Sequence, residues 1–99
     1  MEINGLNYVL KYSLRSMFTF EEMTGKPFSI STLLDTYCFC YSCIISNPIN
    51  PSLDFNSFID WCDEHPETIK EFNKFMDEEM KKREVLGKNK KKVTKKEKN

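Results

Sequence analysis

The sequence predicts an all-α protein: one small domain of about four helices, with a short extended N-terminal segment and a disordered Lys-rich C-terminal tail. Three observations lead there. Apolar residues recur at i, i+3 and i+4 in four separate stretches. Gly and Pro punctuate the chain between those stretches. Ninety-nine residues are enough to enclose one core and too few for two. The helical domain is placed at residues 1–87 and the tail at 88–99.

Residues 3–12 read as an extended lead-in or short strand, in which Tyr8 and Leu10 alternate with Val9 and Lys11. A first helix is expected from about Tyr12 to Thr24. Leu14, Met17 and Phe18 lie at helical spacing, and Gly25 stands where a left-handed C-cap belongs. Lys26-Pro27 then blocks continuation, because Pro lacks the N–H and restricts its predecessor. The second helix, Thr32–Ser46, opens with capping-box spacing from Thr32 to Asp35. Leu33, Leu34, Tyr37, Cys38, Tyr41, Ile44 and Ile45 keep the helical rhythm, and Phe39, Cys40 and Cys43 widen the stripe nearly all round. Such a helix is expected at the centre of its domain. Asn47 to Leu53, with two prolines, is a loop.

Asp54 is the expected N-cap of a third helix, which carries Phe55, Phe58, Ile59 and Cys62 on one side and stops before Pro66. Pro66 suits the first position of a fourth helix, and Glu67 suits its positive N-terminal dipole. Ile69, Phe72, Phe75, Met76 and Met80 form its stripe, and Gly87 is its expected end. From Lys88 to Asn99 there are 7 Lys in 12 residues and a single large apolar side chain, Val93, so this tail has little to bury.

Composition narrows the function classes. No apolar run reaches the ~18 residues of a membrane span and no basic-then-apolar leader opens the chain, so a cytoplasmic protein with no membrane partner is expected. Net charge is zero but uneven. Residues 1–80 hold 5 basic and 13 acidic side chains (−8), and residues 81–99 hold 10 basic and 2 acidic (+8). The Lys tail has the density to touch phosphates. It lacks interleaved aromatic residues, and the acidic body would repel nucleic acid.

Four cysteines and one histidine admit one metal reading. Cys40-x2-Cys43 and Cys62-x2-His65 form a Cys-Cys…Cys-His set, which defines the alternative of a small zinc-stabilised or nucleic-acid-binding accessory protein. Against it, Cys40 and Cys43 lie inside an apolar helical run, and Cys serves as a small core residue in a chain without Ala. No Gly-rich phosphate loop or oxyanion loop accompanies Cys62 and His65, so neither catalysis nor a cofactor is expected.

The stretch from Leu10 to Phe28 (LKYSLRSMFTFEEMTGKPF) resembles the start of small phage tail assembly chaperones. The resemblance continues through the long apolar helix, the Asn47-Pro48 loop, the acidic Phe55–Asp63 helix and a final amphipathic helix, over about residues 8–86. It implies a non-enzymatic helical protein of phage or prophage origin. Such a chaperone binds the long helical tape-measure protein during tail assembly. The family offers no active site to transfer, and no residue is assigned a role from it.

The residues themselves suggest a partner surface. Residues 3–86 hold 37 hydrophobic positions, more than so small a domain can enclose. Phe75, Met76 and Met80 on the fourth helix and Met17, Phe20 and Met23 on the first are the expected walls of a groove for an amphipathic helix. Asp77, Glu78 and Glu79 would flank it, and Ile69 and Phe72 belong to the core; self-association is a second use of such a surface.

Overall fold

The computed structural model describes residues 1–83. In chain order it contains β1 (Glu2–Ile3), β2 (Leu6–Asn7), α1 (Leu14–Thr24), α2 (Leu33–Ile45), α3 (Phe55–Glu64) and α4 (Glu67–Lys98). The all-α reading with four helices holds. The helix end expected at Gly87 and the disordered tail expected over 88–99 lie outside the described residues.

The N-terminal segment is more structured than an extended lead-in. Glu2 pairs with Asn7 and Ile3 with Leu6 in a small antiparallel hairpin. Its turn is Asn4-Gly5, with φ of 54° and 79°, and this dipeptide adopts the left-handed geometry that a two-residue hairpin needs. Ile3 and Tyr8 are buried and pin the hairpin to the core. The next residues are extended because they bond to the far side of the fold. Lys11 N donates to the Cys43 carbonyl at 3.2 Å. Val9 N donates to Asn50 Oδ1 at 2.8 Å, and the Val9 carbonyl accepts from Asn47 Nδ2 at 3.1 Å and Asn50 Nδ2 at 2.9 Å.

Helix α1 starts two residues later than expected, at Leu14, because Ser13 caps it. Ser13 Oγ accepts from Ser16 N, and Ser16 Oγ accepts from Ser13 N, so two serines complete a capping box. Gly25 (φ 70°) ends the helix as expected, its N–H donating to the Glu21 carbonyl at 2.8 Å.

Helix α2 opens with the expected Thr32–Asp35 box. The buried Asp35 carboxylate also accepts from Ser31 N at 3.0 Å and Ser31 Oγ at 3.1 Å, and pairs with Lys26 Nζ at 2.8 Å. The Lys26 ammonium, then the Ser31 and Thr32 donors, hold its carboxyl far below the ordinary range. From Cys38 to Ile44 every residue of α2 is buried, so the helix is central as expected. The expectation of an apolar surround fails at its ends. Leu33 is 75% exposed and Leu34 62% exposed, because the first turn projects beyond the helices packed on the later turns.

Asp54 precedes α3 but makes no side-chain capping bond. Instead the Tyr41 hydroxyl donates to the Leu53 carbonyl at 2.6 Å and fixes the entry to the helix. Phe39 is the hub of the core. Its ring meets Tyr12 (5.7 Å between centroids), Phe20 (6.1 Å), Phe28 (4.7 Å) and Phe72 (6.2 Å), tying the lead-in, α1, the connection after it and α4 to α2. Arg83 Cζ sits 4.3 Å from the Tyr12 ring centroid and closes α4 onto the start of α1.

Candidate functional site

The cysteines come first, since they carried the metal alternative. Cys38, Cys40, Cys43 and Cys62 are all unpaired and buried. Burial pushes the Cys43 thiol up to about 12 and the Cys62 thiol up to about 11. Burial, then the neighbouring Cys43 and Cys62, puts Cys40 well above its usual value. Thiols held protonated are poor ligands and poor nucleophiles. Cys43 on α2 and Ser16 on α1 are both fully buried, small side chains that suit two helices packed closely together.

His65 does not join the cysteines. Its ring stacks on Trp61 with centroids 3.6 Å apart, and Nδ1 lies 3.0 Å from the Trp61 carbonyl. Among the described residues no three His, Cys, Asp or Glu side chains are arranged to hold a metal ion. His65 thus stands apart from Cys40, Cys43 and Cys62, and the four do not converge among the described residues. The spacing arises from two helices that turn Cys inward and His outward.

The six residues expected to form one groove are divided by the structure. Phe20 is fully buried among Phe28 and Phe39, which removes it from any surface. The error has a physical cause: apolar residues occupy several sides of α1, and packing against α2 takes Ser16 and Phe20 to the interior. Met23 lies over α2, where Ser42 Oγ approaches its sulfur at 3.5 Å, and remains 37% exposed. Met17 is half-buried against the core.

On α4 Phe75 falls with Ile69, partly packed on the core, and not with Met80. Phe72 is buried, Ile69, Phe75 and Met76 pack partly against the core, and Met80 is 41% exposed. Phe75 faces the N-terminal segment and not Met17 or Met23. Together with Tyr8, Val9 and Leu10 it lines a cleft of about 360 Å³, and Glu71, Lys74 and Glu78 stand at the rim.

A second surface was not anticipated. Leu14 and Phe18 on α1 point outward, Phe18 with 57% of its area exposed. With Ile45 and Pro48 from the end of α2 they line an open groove of about 1070 Å³, bordered by Lys11 and Arg15 at one end and Glu22 at the other. Leu14 and Phe18 have the same i, i+4 spacing as a core stripe, so spacing alone could not place them outside. No local signal in α1 separates them from a core stripe, because packing against α2 decides which side turns inward.

No known family model, curated protein or solved structure matches the chain. Among the described residues no helix is long and apolar enough to cross a membrane.

Proposed function

We propose that this is a non-enzymatic partner-binding protein of a phage or prophage, a tail assembly chaperone that binds the long helical tape-measure protein in the host cytoplasm. The observation that carries the reading is the α4 stripe. Phe75 and Met76 are only partly covered and Met80 is exposed, although the core beneath them is already closed by Phe72. An amphipathic helix laid along the cleft beside Val9 and Phe75 would cover this area, with basic residues meeting Glu71 and Glu78. Flexible Met side chains suit a partner that presents many similar stripes. The sequence resemblance over residues 8–86 supplies the identity of that partner.

The test is to look for a gene encoding a long coiled-coil protein immediately downstream and to co-express its product with this chain. The expected result is a soluble complex that co-purifies, weakened by Met80→Ser without a change in the melting temperature of the free protein. A coiled-coil protein that stays insoluble in the presence of this chain, or binding indifferent to Met80→Ser, refutes the reading.

A further inference from the structure

The groove on α1 has a property that the α4 cleft lacks: it is complementary to itself. Its central seam reads Arg15, Phe18, Glu22, a spacing of three then four residues, so all three face the same way from the helix. All three are exposed or line the groove, and Leu14 lies beside Phe18. Arg15 and Glu22 form no ion pair among the described residues, although opposite charges on one stripe seven residues apart lie within reach of an incoming partner.

We infer that α1 is a self-association surface on which a second copy of this chain docks antiparallel, Phe18 packing across the axis and Arg15 of each copy facing Glu22 of the other. The geometry follows from the helix. A two-fold axis between positions 18 and 19 places Arg15 and Glu22 at equal distances on either side, about 5 Å along the helix at 1.5 Å per residue. Two equivalent ion pairs then form at the ends of the apolar contact. Each α1 fills the space between its partner's α1 and the Ile45–Pro48 wall, so neither groove is left open.

Charge selects this occupant over others. The chain's own C-terminal segment carries 7 Lys over residues 88–99 and would meet Lys11 and Arg15 at the basic end. A parallel pairing would set Arg15 against Arg15 and Glu22 against Glu22. Only the antiparallel copy matches both ends. One 11-residue helix with one flanking wall gives an interface at or below the ~1,200 Å² lower edge of stable complexes, so the dimer exchanges with monomer.

Sedimentation equilibrium of the full chain tests this, from about 10 µM to about 500 µM at low salt, where surface charges are least screened. The expected result is a mass that rises from monomer toward dimer with concentration. Phe18→Ser abolishes the rise while leaving the circular dichroism spectrum and melting curve unchanged, since Phe18 lies outside the core. Arg15→Glu and Glu22→Arg each weaken association about tenfold, because both ion pairs become repulsions. The double reversal restores it, and a 1:1 mixture of the two single variants forms a heterodimer. A wild-type chain that stays monomeric throughout, association that survives Phe18→Ser, or a double reversal as weak as the singles overturns the inference. The readout is separate from tape-measure binding, which is tested on α4.

Discussion

Phe39 should be the residue whose truncation costs most. Its side chain is fully buried and its ring meets four others, with centroids 4.7–6.2 Å apart, from segments that no single other residue joins. Phe39→Ala removes most of an aromatic side chain from a closed site, a change that costs about 3–5 kcal/mol in cores. The lost edge-to-face contacts add roughly 0.5–1.5 kcal/mol. A domain of this size holds on the order of 5–10 kcal/mol in total, so the alanine variant should be largely unfolded at 37 °C. Phe39→Leu keeps most of the volume and should cost about 1–2 kcal/mol, which lowers the melting temperature by roughly 5–15 °C. Phe18→Ala, on the exposed face of α1, provides the contrast and should stay within about 0.5 kcal/mol of wild type. Thermal unfolding followed at 222 nm compares the three. Equal losses for Phe18→Ala and Phe39→Leu, or none for Phe39→Leu, would refute the assignment of Phe39 as the hub.

The cysteines should react with a thiol reagent at pH 8 only as fast as the fold opens, and fully in denaturant, because burial raises Cys43 to about 12 and Cys62 to about 11. Rapid labelling of the native protein would contradict their placement. Asp35 has a carboxyl held below its ordinary 3.8, so its contribution is complete above about pH 4 and is lost as pH falls below that. Wild type should therefore lose stability on acidification faster than Asp35→Asn, which is already weakened at pH 7; parallel pH profiles would exclude this role. Gly25→Ala meets no atom within 4 Å but must hold φ near 70°, so it should cost about 1–2 kcal/mol, and Gly25→Asn clearly less. Removing residues 88–99 should leave the melting temperature unchanged at moderate salt, since among the described residues the core lies at or before Met76.

The parts of the fold legible in the sequence were those with local chemistry. Thr32 with Asp35, Gly25 and the Pro-bounded connections depend on a few adjacent residues, and each stands where spacing placed it. Asn4-Gly5 carries an equally local signal for a hairpin, but an extended lead-in or short strand is all that residues 3–12 suggest, because the paired segments are two residues long. The orientation of α1 is a different kind of problem. With apolar residues at 14, 17, 18, 20 and 23, no single stripe is defined, and only packing against α2 selects Ser16 and Phe20 for the interior. On α4 the continuous stripe makes Phe72 legible as core and Met80 as exposed, whereas Phe75 and Met76 lie between the two. The α1 half was misplaced because packing against α2, and not a continuous apolar stripe, decides burial there.

The clasp between the lead-in and the Asn47–Asn50 loop bears on how this chain can fold. The last carbonyls of α2 lack partners within the helix. Cys43 O receives the Lys11 N–H, and Ile44 O receives the Asn50 side chain, which also holds Val9. Lys11 and Asn50, 39 residues apart in sequence, thus finish the same helix end. The hairpin, α1 and the turn after α2 can form early as local units, but the Cys43 carbonyl and the Asn50 bonds to Val9 wait on long-range closure. Closure of that loop is a late, entropically costly step that joins the first tenth of the chain to its middle. A lesion at Asn50 would therefore slow folding and loosen the N-terminal segment together, although Asn50 touches no residue of the hairpin's own ladder.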